Sequence, residues 1–345
     1  MANQSYAVPG LVLQPSGTFS QQAQDLQRDL RILGYFAGPI DGVFGHGTAT
    51  SVLALTYDLQ HNDGSSTSND GSAPVAVTSY SQGNLTGQAD QTFAACIAAM
   101  LDDPNFPKMP SSADPVGDNQ SALAAVKGMA NLQVPLPFLL AILQQESGLH
   151  HYQAPARGNI DTFVTIGLDR NDQNNPARIT SRGYGVGQYT LFHHPPTAGA
   201  DDAEVQSFIL DPVKNVSKTV SEMLDKFNNW VAGPTDKADD RIAEIGNGPL
   251  VTCKYAQGDA RYLSDCVNCA NNAPKVTITS GVTPYYNGAQ ETYAQTQYHV
   301  GSYSNVPQRD QIGCDWPYAI RRFNGSGVNS FDYQAEFLLK LQAQG

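Results

Sequence analysis

The residue of this chain best placed by its neighbours to do chemistry is Glu146. It ends the run Pro137-Phe138-Leu139-Leu140-Ala141-Ile142-Leu143-Gln144-Gln145-Glu146-Ser147-Gly148, in which Pro137 suits a helix start and Gly148 a helix end. Leu139, Ile142 and Leu143 precede Glu146 by seven, four and three residues, so a helix here turns Glu146 toward its apolar face. A carboxyl group held on that face loses solvation and keeps its proton to higher pH. That is what a general acid needs if it is to protonate a glycosidic oxygen near neutral pH. The competing reading is a frayed helix end with Glu146 turned to water.

Three further segments carry residues suited to the same chemistry. In Arg182-Gly183-Tyr184-Gly185-Val186-Gly187-Gln188-Tyr189-Thr190 the glycines let a backbone approach a sugar closely. Gln188 there offers both a donor and an acceptor to hydroxyl or acetamido groups. Leu210-Asp211-Pro212 with Asn215 opens a long helical pattern, and Ala319-Ile320-Arg321-Arg322-Phe323-Asn324-Gly325-Ser326-Gly327 is followed by Tyr333. Between His150 and Arg182 lie Asp161, Asp169 and Asp172. An inverting hydrolase needs a second carboxylate about 6.5–9.5 Å from its acid, which makes these three the candidates; the alternative is that they decorate a solvated loop. The pairs His150-His151 and His193-His194 lack a His-x-x-x-His or acidic partner at ligand spacing, so no metal is expected. No nucleophile elbow, phosphate loop or dinucleotide fingerprint is present, and Gly183 to Gly187 lack the strand context such loops need.

Helices must position these groups. The helical patterns run from Ala89 to Leu101, Asn119 to Leu132, Pro137 to Ser147 and Asp211 to Val231, with a final helix holding Tyr333, Phe337, Leu338 and Leu341. In the fourth, Asp211 caps, Pro212 takes the first turn, and Val213, Val216, Val220, Met223, Leu224, Phe227 and Val231 form one stripe. Upstream, Ser20 caps a helix carrying Ala23, Leu26, Leu30 and Leu33, Gly34 takes the left-handed C-terminal position, and a second helix starts at Thr48. Residues 61 to 88 are rich in Ser, Asn, Asp, Gly and Thr and read as a flexible linker. The fold expected is mainly α: residues 1–60 a small module, 61–88 the linker, 89–345 the large domain.

The chain has 345 residues, 41% of them hydrophobic and 15% charged, as in a globular protein. A net charge of −12 argues against nucleic acid and anionic lipid as partners. No apolar run approaches the roughly 18 residues that cross a bilayer, so no membrane insertion is expected. The first 27 residues hold no Lys or Arg, so a secretory signal peptide is not expected. Of five cysteines, Cys96 sits on an apolar helix face as a buried thiol, whereas Cys253, Cys266, Cys269 and Cys314 cluster late in the chain. Two disulfides, a zinc site and free thiols are all open readings for those four, disulfides the favoured one, since the spacing fits no compact zinc ribbon.

Two resemblances follow. Leu26-Gln27, Leu33-Gly34-Tyr35, Ile40-Asp41-Gly42, Phe44-Gly45 and Gly47-Thr48 resemble the peptidoglycan-binding domain family, a small three-helix module. The resemblance implies wall contact through Tyr35, Asp41 and Phe44; Leu59 departs from the family, which places an aromatic there. From Ala89 to Leu341, the helix ending in Glu146-Ser147, the loop ending in Gln188, the Asn324-Gly325 turn and the late Tyr333 resemble, in their order, the lytic transglycosylase and goose-type lysozyme group (glycoside hydrolase family 23 and relatives). Phe323 replaces the usual Tyr, and Gly187 stands where many members have Met.

The second resemblance implies a lysozyme-like domain of two lobes with Glu146 as catalytic acid/base. It implies substrate contacts from Ser147, Tyr184, Gly185, Gln188, Tyr189, Asn324 and Tyr333. The substrate implied is the peptidoglycan glycan strand, cut at the N-acetylmuramic acid to N-acetylglucosamine bond without a cofactor. The site of action implied is the bacterial envelope, reached by lysis, a dedicated secretion machine or a removed leader; a delivery apparatus or immunity protein is not indicated either way. A hydrolytic muramidase or chitinase-like enzyme, and a non-catalytic wall-binding protein, are the rival readings.

Overall fold

The computed structural model describes residues 4–65, 75–129, 132–155, 160–191, 207, 209–234, 241–242, 247–278, 302–325 and 329–345. It is helix-rich, as the sequence leads one to expect. The chain divides into two compact units, one formed by Met1–Val126 with His150–Val216 and the other by Lys127–Leu149 with Ser217–Gly345.

In the first unit, α1 (Gln21–Ile32), α2 (His46–His61) and α3 (Gln91–Asp102) share one apolar core containing Leu26, Leu30, Tyr35, Leu55, Phe93 and Ile97. The local signals act as expected. Ser20 Oγ accepts from the Ala23 amide at 3.1 Å. Gly34 is left-handed at φ 78°, and the Tyr35 and Gly34 amides reach back to the Leu30 and Arg31 carbonyls at 2.8 and 3.0 Å, which satisfies the helix end. Asp90 caps α3 through the Phe93 amide at 2.9 Å. α4 (Pro115–Lys127) follows. β1 (Ile166–Asp169), β2 (Ser181–Tyr184) and β3 (Tyr189–Leu191) then form an antiparallel sheet in that order. Gly183, read from sequence as lacking strand context, lies in β2 opposite Gly167.

The expected boundary at residue 88 does not coincide with this division. The described part of the expected linker is packed chain: Val77 is buried and its amide bonds to the Asn62 carbonyl at 2.8 Å. Tyr80 donates to Asp103 at 2.7 Å, and Leu13 bridges to Ala89. Small polar residues can mark solvated turns held at intervals by single apolar anchors, and composition alone does not separate that from a free linker. Residues 66–74 lie outside the described residues.

Two buried arginines bind the N-terminal helices to the sheet region. Arg31 pairs with Asp161 at 2.6 Å, both 1% exposed at the side chain, and donates to the Gly38 carbonyl at 2.7 Å. Arg182 donates to the Gly34 carbonyl at 3.1 Å, approaches Asp58 at 3.9 Å and lies over the Tyr35 ring at 5.1 Å.

In the second unit, α5 (Leu136–Ser147) and α9 (Asn329–Gln342) pack together through Phe138 and Phe337, whose ring centroids are 5.3 Å apart. α6 (Pro212–Lys226) begins in the first unit and crosses to the second at 216/217. Asp211 caps it as expected, accepting from the Val213 and Lys214 amides at 3.0 and 3.2 Å. The helix continues as a π turn over Phe227–Val231. α7 (Cys266–Asn272), the hairpin of β4 (Lys275–Ile278) and β5 (Tyr303–Pro307), and α8 (Trp316–Phe323) complete the described part.

Removing one member of a fully buried ion pair leaves the other uncompensated, at a cost of about 3–5 kcal/mol. Arg31→Met is therefore expected to lower the urea unfolding free energy by that amount, and Arg31→Met with Asp161→Leu to recover part of it. A single-variant loss below about 1 kcal/mol would show that the pair does not hold the unit together. Deleting residues 1–80, which a tethered module would tolerate, removes the partners of both Asp161 and Arg182 and is expected to yield insoluble protein.

Candidate active site

Glu146 stands in the last turn of α5 and is half-buried. The helix ends in two consecutive left-handed residues, Gly148 at φ 64° and Leu149 at φ 67°. A leucine in that region is strained by about 1–3 kcal/mol and persists only where its surroundings over-determine it. Here the Gly148 amide holds the Gln144 carbonyl and the Leu149 amide the Leu143 carbonyl, each at 3.2 Å, while the Ser147 hydroxyl donates to the Leu143 carbonyl at 2.9 Å. The turn that carries Glu146 is thus tightly specified.

Tyr333, on α9, donates its hydroxyl to Glu146 Oε1 at 2.5 Å. Burial, and after it the Glu146 charge, push the Tyr333 phenol well above its ordinary range, so it remains a donor. The Phe323 ring, which closes α8, stacks on Tyr333 with centroids 6.3 Å apart. Asn324 follows as an exposed residue at the end of α8, before the left-handed Gly325. The structure therefore brings together Glu146 and Tyr333, 187 residues apart in sequence.

Beside this pair a second polar group ties the same two helices. Gln145 donates to Glu336 at 2.6 Å, Tyr303 donates to the other Glu336 oxygen at 2.9 Å, and Lys340 bonds to Gln145 and lies 3.5 Å from Glu336. Burial opposes ionisation of Glu336, yet the hydrogen bonds from Gln145 and Tyr303 and the Lys340 charge hold it below its usual range.

The glycine-rich segment lies in the first unit, as the hairpin turn between β2 and β3, with Tyr184 opposite Tyr189. Asn215, fully buried, accepts from the Gly187 amide at 2.7 Å and donates to the Tyr184 carbonyl at 2.8 Å. His151, also fully buried, accepts from the Val186 amide at 3.2 Å. Asn119 in turn accepts from the His151 and Tyr152 amides at 2.8 and 2.9 Å. A side chain at Gly185, left-handed at φ 72°, would drive its Cβ within 2.6 Å of the His151 ring. Gln188 is itself left-handed at φ 51° and donates to the Gly185 carbonyl at 2.8 Å. Its side-chain oxygen Oε1 lies over Gly167 and Gly183, where any Cβ would approach within 2.8 Å. The glycines here make room for protein groups.

Several other expected site residues are taken up by the fold itself. Tyr184 is fully buried in an apolar cluster, so its side chain is core, whereas Tyr189 is half-buried. Tyr35 and Phe44 are buried, with Tyr35 donating to Asp58 at 2.6 Å. Apolar anchors at a glycine turn are drawn inward because nothing else there can fill the core. Asp41 is exposed and accepts from Gln27 at 3.1 Å and from the Val43 amide at 2.9 Å. Asp161 is paired with Arg31, Asp169 accepts from Ser181 at 2.6 Å, and Asp172 caps a turn through the Asn174 and Asn175 amides at 3.0 and 3.1 Å. Of the three, the solvated-loop reading suits Asp172; Asp169 is the exposed end of β1 and Asp161 is buried. His193 and His194 lie outside the described residues. Among the described residues no group of three or more His, Cys, Asp or Glu is arranged to hold a metal ion. Sequence reasoning missed Asn119 and the role of His151, since a clamp on a distant turn leaves no local pattern.

Burial pushes His151 from its ordinary 6.5 down to about 4, against the opposing Ile209 carbonyl and the Asp211 and Asp118 charges. Between those values the unfolded chain binds a proton that the folded chain refuses, so acid favours unfolding there and the effect is absent above pH 6.5. His151→Asn keeps an acceptor for Val186 without titrating. It is expected to flatten the fall in unfolding free energy from pH 6.5 to 4, by up to about 1.4 kcal/mol per pH unit. Identical slopes in parent and variant would show that His151 is not neutral in the fold. Comparison with protein-family models, with curated proteins and with solved structures found no match for this chain.

Proposed function

We propose that this protein is a peptidoglycan-degrading glycosidase, a lytic transglycosylase that cleaves the N-acetylmuramic acid to N-acetylglucosamine bond with Glu146 as acid and then base. Its helix-rich architecture is read as a lysozyme-like catalytic domain of two lobes with an N-terminal peptidoglycan-binding segment. Its place of action is the bacterial envelope, where such cleavage is antibacterial or remodels the wall. The hydrogen bond from Tyr333 to Glu146 carries the reading. It supports a half-buried carboxyl group at a strained helix end, with one oxygen held by a buried phenol, an arrangement a surface glutamate does not need.

In the proposed reaction the Glu146 carboxyl group gives its proton to the glycosidic oxygen, while the substrate N-acetyl carbonyl assists departure of that oxygen. The resulting carboxylate takes the proton of the C6 hydroxyl as that hydroxyl closes on the anomeric carbon. Tyr333 holds Oε1 through both transfers, which keeps the carboxyl group in the geometry proximity requires. The commitments of Asp161, Asp169 and Asp172 to protein partners favour this single-glutamate scheme over a hydrolytic muramidase that needs a second carboxylate. Asn324, in the same unit as Glu146, remains a proposed sugar contact; Gln188 and Tyr189 in the first unit are proposed to touch glycan on their own account, and Asp41 is the exposed group of the N-terminal segment proposed to meet the wall.

Glu146→Gln is expected to fold as the parent and to lose about 10²–10⁴-fold in wall digestion. Wall digestion at the parental rate would remove Glu146 from the chemistry. Tyr333→Phe, which keeps the ring on Phe323, is expected to lower kcat by about tenfold with KM unchanged, since it loses one hydrogen bond to a charged group worth about 1.5–3 kcal/mol. Mass spectra of released fragments are expected to show 1,6-anhydro-N-acetylmuramic acid ends, lighter by one water than hydrolytic ends. Hydrolytic masses alone would replace the transglycosylase by the muramidase, and no release at all from walls would leave a binding protein.

A further inference from the structure

The fold gathers four cysteines that the glycan chemistry does not use. Cys253, Cys266, Cys269 and Cys314 all line one cavity within the second unit, together with Lys254 and Asp265. All are thiols in this structure, and they are not disposed about a common point as metal ligands are. The chain segments that carry them are brought side by side by specific bonds. The Asp315 amide donates to the Val251 carbonyl at 2.7 Å, and the Val251 amide donates to Asp315 Oδ2 at the same distance. Two residues further, Gly313 lies so close to Lys254 that an added Cβ would meet the lysine Cβ at 3.0 Å. Cys253 and Cys314 are therefore on adjoining, oppositely directed segments. Cys266 and Cys269 are one turn apart on α7, with Cys266 its first residue; helical spacing puts their Cα atoms in the range a disulfide bridges, and closure must draw their Cβ atoms from about 5–6 Å to about 4 Å.

We propose that these four residues are an oxidisable thiol centre that closes as two disulfides, Cys253 with Cys314 and Cys266 with Cys269. The oxidant is a disulfide of the surrounding compartment, acting by thiol–disulfide exchange. The thiolate of one cysteine attacks the donor disulfide, forming a mixed disulfide and releasing one donor thiol. Its partner, losing its proton to solvent, attacks the protein sulfur of that mixed disulfide and releases the second donor thiol. Each bridge thus passes two electrons to one donor disulfide. Cys269 is the natural entry point, because it is half-buried and shares the cavity with the Lys254 ammonium group. Burial and the neighbouring sulfurs push the Cys266 thiol up to about 12, which fits a resolving partner and not the first attacker. The Cys253–Cys314 bridge would tie the ends of a long loop, where cross-linking restricts the unfolded chain most.

The test uses the full chain, reduced and then incubated with oxidised glutathione, unfolded without reductant and alkylated. The expected product takes a single alkyl group, on Cys96, where the reduced protein takes five, and is lighter by about 4 Da before alkylation. Cleavage after Lys254, Arg261 and Lys275 separates the two bridges. One cross-linked pair of peptides should hold Cys253 and Cys314, and one single peptide should hold Cys266 and Cys269. Thermal unfolding of the oxidised protein is expected several degrees above that of the reduced. Cys253→Ser should leave Cys314 alkylated and the other bridge intact; the peptide map of the parent decides the case even where that variant does not fold. Five alkylated cysteines after glutathione, bridges in another pairing, or one zinc ion retained per reduced chain would overturn the proposal. None of these readouts depends on glycan cleavage.

Discussion

An arginine keeps its proton inside a protein, so a guanidinium group taken out of water must find acceptors or the fold fails. Arg31 and Arg182 are each 1–2% exposed at the side chain, and the first unit brings acceptors to Nη2 of the one and Nε of the other. Arg31 reaches a carboxylate 130 residues downstream and the Gly38 carbonyl of its own turn. Arg182 reaches the carbonyl of the glycine that ends α1, the carboxylate that accepts from Tyr35, and the Tyr35 ring itself. The glycine turn that resembles a wall-binding motif is therefore also an acceptor surface for the sheet region, and its aromatics are held inward. Gln27 works to the same end from α1, accepting from the Gly42 amide at 2.8 Å and donating to the Val43 carbonyl at 2.9 Å.

The second unit obeys the same constraint with weaker charges. A buried phenol on α9 needs an acceptor, and the last turn of α5 supplies it in the Glu146 carboxyl group. The apolar seam through Phe138 and Phe337 sets the helix separation, and the Gln145, Glu336, Tyr303 and Lys340 group sets the register. Glu146 is thus oriented by packing as much as by its own helix.

The turn at Gly185 illustrates how polar groups substitute for a long-range hydrophobic core. Asn215 from α6, His151 from the segment after α5 and Asn119 from α4 form a relay of hydrogen bonds that leaves the turn little freedom. Each is buried, so each bond is strong in its low-dielectric surroundings and costly to lose. A neutral His151 is a condition of the relay, because a protonated ring has no acceptor to offer Val186.

Much of this was legible in the sequence. Ser20, Asp211, Gly34 and Gly148 mark helix ends through bonds that span only a few residues, and the stripes of α5, α6 and α9 state which faces are buried. Glu146 could be singled out because seven residues of helix are enough to aim it. The partners of Arg31, Arg182 and Tyr333 could not be read, nor the gathering of the four late cysteines at one cavity, because these depend on chain segments tens to more than a hundred positions apart and leave no periodic trace. The strands around Gly183 escaped for a related reason. A glycine-rich strand has no alternation of side chains to announce it, and its glycines are explained only by Gln188 lying over them. The sequence determined where helices begin, end and face; only tertiary packing decided which of their polar groups meet, since that depends on which acceptors the folded chain delivers to each buried donor.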